Sequence, residues 1–136
     1  MASLYVESSA LVKRYIREIG TNWVRSQTSL FSGNHLFVAR ITSVEIMSTI
    51  SRRVRAGAIG RLPAVALMNQ LRQEFANYFR IVGISRRLIE SALDLAETHG
   101  LRGYDAIQLA AALRANDDSK SVGLGRITLI SALTPN

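Results

Sequence analysis

Cysteine is missing from this chain altogether, and histidine occurs only at His35 and His99. The first absence excludes disulfides and thiolate metal sites. The second leaves too few imidazoles for a histidine-rich centre. Any bound metal must therefore be held largely by oxygen. Lysine is nearly as scarce: of the 17 basic residues only Lys13 and Lys120 are lysines, and the rest are arginines. No apolar run approaches the roughly 18–20 residues that span a bilayer, so no membrane association is expected. The opening stretch MASLYVESSALVKRY lacks the ordered basic, apolar and small-residue regions of a secretion signal, and a cytoplasmic setting is expected. Internal repeats, low-complexity segments and domain linkers are absent too.

What remains is a chain of 136 residues, 48% hydrophobic and 20% charged, which fits a single domain over 1–136 with one core. Its formal net charge is +7. Arginine's planar fork suits phosphates and carboxylates, so a polyanion or an acidic protein is an expected partner. The same balance also describes an ordinary solvated surface.

Hydrophobic periodicity divides the chain into strands and helices. Leu4 to Val6 reads as a short strand, followed by Glu7-Ser8-Ser9 and a helix in which Leu11, Val12, Tyr15 and Ile16 recur at helical spacing until Gly20. A second helix carries Trp23 and Val24. Leu36 to Ile41 reads as another strand, with Thr42 or Ser43 capping a helix whose face is Met47, Ile50 and Val54, ending at Gly57. Pro63 suits the first turn of a further helix, striped by Leu67, Leu71, Phe75 and Tyr78. Ile81 to Ile84 makes a third strand. Leu88, Ile89, Ala92, Leu93 and Ala96 stripe the next helix, which stops near His99-Gly100. Tyr104 to Ala115 is a helix apolar nearly all round, residues 116–126 form a polar loop, and Ile127 to Ile130 is a fourth strand. Strands alternating with helices imply parallel pairing through helical crossovers. The expected fold is a three-layer α/β/α domain around a parallel sheet of about four strands.

In such a sheet, ligands bind outside the carboxyl ends of the strands, and three acids fall there. Glu7 directly follows the first strand, Glu45 is expected in the first turn of the helix after the second, and Asp105 opens the apolar helix. Three oxygen ligands at one sheet edge suit Mg²⁺ or Mn²⁺, with waters and a substrate phosphate completing the shell. Such a cation activates water and stabilises charge on a phosphodiester. Each acid also has a plainer explanation. Glu7 marks a strand end, Glu45 is favoured by the helix dipole, and Asp105 caps its own helix. A carboxylate heading a helix buried on most sides needs a partner, and the coincidence of three acids favours a shared site. Asp117 and Asp118 are excluded, because a straight helix puts them roughly 18 Å beyond Asp105. The segment GLGR lacks the spacing of a phosphate-cradling loop.

Three stretches resemble a known family. YVESSALVKRY is similar to the opening of VapC-type PIN domains, ITSVEIMSTISRRVRAG to their second motif with Glu45 as its acid, and HGLRGYDAIQLAAAL to their third with Asp105 as its acid. The likeness runs from about Leu4 to Leu113 in the family's order and spacing. It implies a PIN fold, Mg²⁺- or Mn²⁺-dependent RNA cleavage with Glu7, Glu45 and Asp105 as metal ligands, Ser9 orienting water or a ligand, an antitoxin protein as partner, and a homodimer. The chain departs from that pattern twice. Glu7 stands where the family usually has aspartate, one methylene shorter. Leu133 stands where a fourth acid usually follows the last strand, and a closing helix and strand are missing, so the C-terminal end reads as shortened.

Three readings compete. The first is an endoribonuclease toxin. The second is a weakened PIN-like binding module that keeps its antitoxin or RNA surface without turnover, favoured by Glu7 and Leu133. The third, a phosphoacceptor receiver domain, requires an aspartate at the end of a central strand, and no strand here ends in one. The stripe Leu67, Leu71 and Phe75 is read first as core-facing and second as part of a dimer interface.

Overall fold

The computed structural model describes residues 1–132; Leu133 lies outside them. Its elements follow in the order β1 (Ser3–Val6), α1 (Ser8–Tyr15), α2 (Thr21–Thr28), a single 3₁₀ turn (Leu30–Ser32), β2 (His35–Ala39), α3 (Arg40–Arg55), α4 (Arg61–Asn77), β3 (Arg80–Val82), α5 (Arg86–His99), α6 (Gly103–Ser121) and β4 (Ile127–Ile130). The four strands form one parallel sheet in the order β3-β2-β1-β4. Leu4 pairs with Leu36 on one side and Thr128 on the other, and Val38 pairs with Ile81.

Alternation along the strands builds two cores. Leu4, Val6, Leu36 and Val38 face Leu11, Tyr15, Ile46, Ile50 and Leu71 on α1, α3 and α4. Tyr5, Phe37, Ala39 and Val82 face Leu88 and Ala92 on α5 and the alanine-rich α6. Helices therefore cover both faces, the arrangement a purely parallel sheet requires. Ala110 and Ala111 are 3% and 0% exposed. Small side chains let α6 lie close against the sheet. Leu71 is buried while Leu67 and Phe75 pack against the same core, so that stripe faces inward. Among the described residues no helix is long and apolar enough to cross a membrane.

Several boundaries differ from those expected from sequence. The second strand ends at Ala39 and α3 starts at Arg40, without a side-chain cap from Thr42 or Ser43. Thr42 instead turns its hydroxyl into the core, where it accepts a hydrogen bond from Gln108 at 3.0 Å. Glu45 consequently sits in the second turn of α3, not the first. The third strand is Arg80–Val82, with Phe79 already buried before it and Gly83 and Ile84 outside it. The greatest departure is α6, which runs on through the supposed loop to Ser121. Its buried face continues through Ala115 and Ser119, Arg114 pairs with Asp118 one turn on at 3.1 Å, and the Asn116 side chain accepts the Ile127 N–H at 3.0 Å. On α5, Leu88 and Ala92 are buried but Leu93 is 63% exposed, so the packed stripe is narrower than expected. Gly100, at φ +64°, ends that helix in the left-handed conformation, as the His99-Gly100 pair suggests.

Candidate active site

Strand order reverses at β1, which has β2 on one side and β4 on the other. The crevice at the carboxyl end of such a reversal is where open α/β sheets place ligands. Glu7 occupies that point. Its N–H donates to Ile130 O at 2.9 Å, so it begins α1 while still pairing with the last residue of β4.

The Glu7 carboxylate is the N-cap of α1, folded back to accept the Ser9 N–H at 3.1 Å. It also accepts the hydroxyls of Ser8 at 2.8 Å, Ser131 at 3.3 Å and Ser9. Ser9 accepts the Ala132 N–H at 3.0 Å in turn, which ties the segment after β4 to the start of α1. Ser9 thus spends its proton on Glu7, not on a water or ligand as the sequence suggested. The plainer explanation of Glu7 is present in the fold, alongside its place at the crevice.

Glu7 is the shared wall of two clefts. One, of about 290 Å³, is lined by Glu45, Glu18, Tyr104 and Thr49 as well as Ser8 and Ser9. The other, of about 210 Å³, is lined by Asp105, Gln108, Ser131 and three leucines, Leu101, Leu109 and Leu129. Each remaining acid therefore flanks Glu7 from its own side. Asp105 heads a helix that is largely buried, as expected, but is itself exposed in the first turn of α6, so burial does not oblige it to have a partner. The helix turns its alanine face to the sheet and this residue to solvent. Glu45 is half-buried. Neither side chain accepts a hydrogen bond from the described residues. Nor do the three carboxylates meet: among the described residues no group of three acidic or histidine side chains is close enough to hold one ion. Asp117 and Asp118 lie three turns along α6, clear of both clefts.

Several polar residues at the site were not singled out from sequence as site residues. Glu18 lines the first cleft but is tied to Lys13 at 2.9 Å and Arg53 at 3.8 Å. Beneath the site, Gln108 is 4% exposed and fully engaged. Its Oε1 accepts the Tyr5 hydroxyl, while its Nε2 donates to Thr42 Oγ1 at 3.0 Å and to the Tyr104 hydroxyl at 2.7 Å. A glutamine inside an otherwise apolar helix is the signal that finds this network, since a buried amide requires partners. Burial raises the Tyr104 phenol above its usual range and the Glu45 charge adds to the rise, partly offset by the nearby Ser8 and Thr42 hydroxyls and by the Gln108 amide, which donates to it. Burial likewise raises Tyr5, with smaller additions from Tyr104 and Glu7.

The PIN domain family model matches residues 4–120. No curated protein matches the chain significantly. Among solved structures, VapC20 of Mycobacterium tuberculosis, a toxin that cleaves the sarcin-ricin loop, superposes with a TM-score of 0.62 at 14% identity, covering 90% of this chain and 98% of that one. VapBC2 of Rickettsia felis, bound to a DNA fragment from its promoter, superposes with a TM-score of 0.53 at 13% identity, covering 93% and 98%. At those identities the two structures attest the fold. The family match carries more: this chain belongs to the PIN domain family. PIN-domain proteins are in general nucleases that use divalent metal ions.

Proposed function

We propose that the chain is a metal-dependent endoribonuclease, the toxin of a toxin–antitoxin pair, with its site at Glu7, Glu45 and Asp105. The observation that carries this reading is the position of Glu7 at the strand-order reversal, with the other two acids lining the clefts on either side. The donor set fits a hard cation such as Mg²⁺ or Mn²⁺. It is all carboxylate oxygen, and Glu45 and Asp105 accept no hydrogen bond from the described residues. When bound, the cation supplies Lewis acidity toward a phosphodiester and lowers the pKa of water. The chain's own part is positional. Ser8, Ser9 and Ser131 fix the direction of Glu7, and the first turn of α6 carries Asp105 at the mouth of the second cleft. The net charge of +7 supports an RNA substrate, whose phosphates a basic protein attracts. The likeness to VapC20 and VapBC2 supports the toxin role and an antitoxin partner. This reading includes a cytoplasmic setting and a symmetric homodimer, to be checked by light scattering; two-fold dimers are the commonest oligomers.

A specific observation favours a second reading, a PIN-like module that binds antitoxin or RNA without turnover. The Glu7 carboxylate is committed to its own helix, and the three acids stand apart. One experiment separates the two. Purified protein is incubated with structured RNA in Mn²⁺ or Mg²⁺ and in chelator. The enzyme reading expects cleavage that chelator stops and that Asp105→Asn abolishes, because a neutral amide binds a hard cation poorly. RNA left intact by wild-type protein that nonetheless binds it establishes the second reading.

A further inference from the structure

The cleft shared by Glu7 and Glu45 contains four side-chain hydroxyls, and their protons can be accounted for one by one. Ser8 donates to Glu7 Oε1 at 2.8 Å, Ser9 donates to Glu7 Oε2, and Thr49 donates to the Glu45 carbonyl at 3.0 Å. Each of those protons is spent inside the protein. Tyr104 differs. Its oxygen accepts from Gln108 Nε2 at 2.7 Å, and it donates to none of the described residues.

Gln108 dictates that polarity. The Tyr5 hydroxyl donates to its Oε1, so the amide nitrogen faces Thr42 and Tyr104. With both amide protons directed at hydroxyl oxygens, the proton of Tyr104 must leave in another direction. The remaining polar lining of the cleft is carboxylate, which only accepts. A ligand oxygen that accepts hydrogen bonds in this cleft therefore finds one uncommitted side-chain hydroxyl among the described residues, that of Tyr104.

We propose that Tyr104 is the residue of this cleft that binds the substrate, donating its hydroxyl proton to a phosphate oxygen of the RNA backbone, with Gln108 as the positioning residue that sets its direction. The proposal rests on the nuclease reading of the same site.

The test uses full-length protein with ¹³C-labelled tyrosine, Mg²⁺, and a phosphorothioate RNA oligonucleotide. The Tyr104 ring resonance is assigned by its loss in Tyr104→Phe. That variant keeps the half-buried ring in place, and circular dichroism checks that it folds. Adding RNA is expected to shift the Tyr104 resonance. Tyr104→Phe is expected to lower RNA affinity about tenfold, as loss of a hydrogen bond to a charged group does. Gln108→Leu, which keeps the phenol but frees its orientation, is expected to weaken binding in the same direction. A Tyr104 resonance unmoved at saturating RNA, or a Tyr104→Phe protein that binds as wild type does, overturns the proposal. Gln108→Leu binding like wild type overturns the orientation on which it stands. RNA that moves Tyr104 but is never cleaved leaves this assignment standing and removes turnover. Absence of any RNA binding removes both.

Discussion

Ser9 donates its hydroxyl proton to the carboxylate of Glu7, two residues before it, and so holds the acid against the start of α1. Ser9→Ala removes that bond and the acceptor for the Ala132 N–H, while leaving the backbone cap at 3.1 Å intact. The expected cost is about 1 kcal/mol of stability. A larger effect is expected on metal-dependent cleavage, roughly tenfold or more, because a loosened carboxylate misplaces whatever it ligates. Thermal denaturation and single-turnover rates measure the two. Equal losses in stability and rate, or none in either, argue that Ser9 supports only the helix.

Glu7→Asp tests the acid itself. Aspartate is the better N-cap, so the start of α1 is expected to be as stable or slightly more stable. The family resemblance implies aspartate at this position, and shortening the side chain is expected to raise the cleavage rate severalfold if reach to the metal limits catalysis. A fall to the level of Glu7→Ala instead means that the longer side chain is the one this site requires.

Arg14 and Glu74 tie α1 to α4 through a forked ion pair with both side chains 14% exposed. Glu74 also accepts the Tyr15 hydroxyl at 2.7 Å, and Arg14 donates to the Thr28 carbonyl at 3.1 Å. Glu74→Ala strands a mostly buried guanidinium and a buried phenol. The expected loss is about 3 kcal/mol, or roughly 10 °C in Tm, read by calorimetry. Replacing Arg14 by methionine and Glu74 by leucine together is expected to recover most of it, since the cost lies in leaving one charge unpaired. A single variant as stable as wild type shows that the pair contributes nothing.

Alkaline stability follows from the tyrosines. Tyr5 and Tyr15 are both raised above the ordinary 10.0, first by burial and, for Tyr15, next by its bond to Glu74. A folded-state value above the unfolded one contributes stability that is complete below about pH 10 and lost as pH climbs toward the folded value. Urea midpoints are therefore expected to be level with respect to these groups from pH 8 to 10 and to fall beyond. Absorbance at 295 nm should show Tyr5 and Tyr15 ionising only as the protein unfolds. Tyrosinate appearing in the folded protein near pH 10 at all four phenols runs against the buried hydroxyl network.

The architecture was largely legible because it depends on local period. Strand-length apolar runs alternating with helical stripes leave a parallel sheet covered on both faces as the economical arrangement. The errors came where a contact outside the segment overrides local preference. Asn-Asp-Asp-Ser reads as a loop, yet Ser119 and Ala115 continue a buried face and Arg114 pairs with Asp118, so α6 runs on. Thr42 reads as a cap, yet Gln108, 66 residues away in sequence, draws it inward.

The sequence by itself determined the parallel α/β layering, the family to which the chain belongs, and the three acids worth examining. Composition, periodicity and motif spacing are one-dimensional properties, and they suffice for that. Tertiary structure decided where those acids stand and what they touch. It put Glu7 at the strand-order reversal but folded its carboxylate onto α1, opened Asp105 to solvent, and set Glu45 across a cleft beside Tyr104. It also set the Gln108 amide, on α6, between the Tyr5 hydroxyl of β1 and the Tyr104 hydroxyl, so that its nitrogen faces Tyr104. Hydrogen-bond direction depends on which donors and acceptors meet in space, and spacing along a chain carries no record of that.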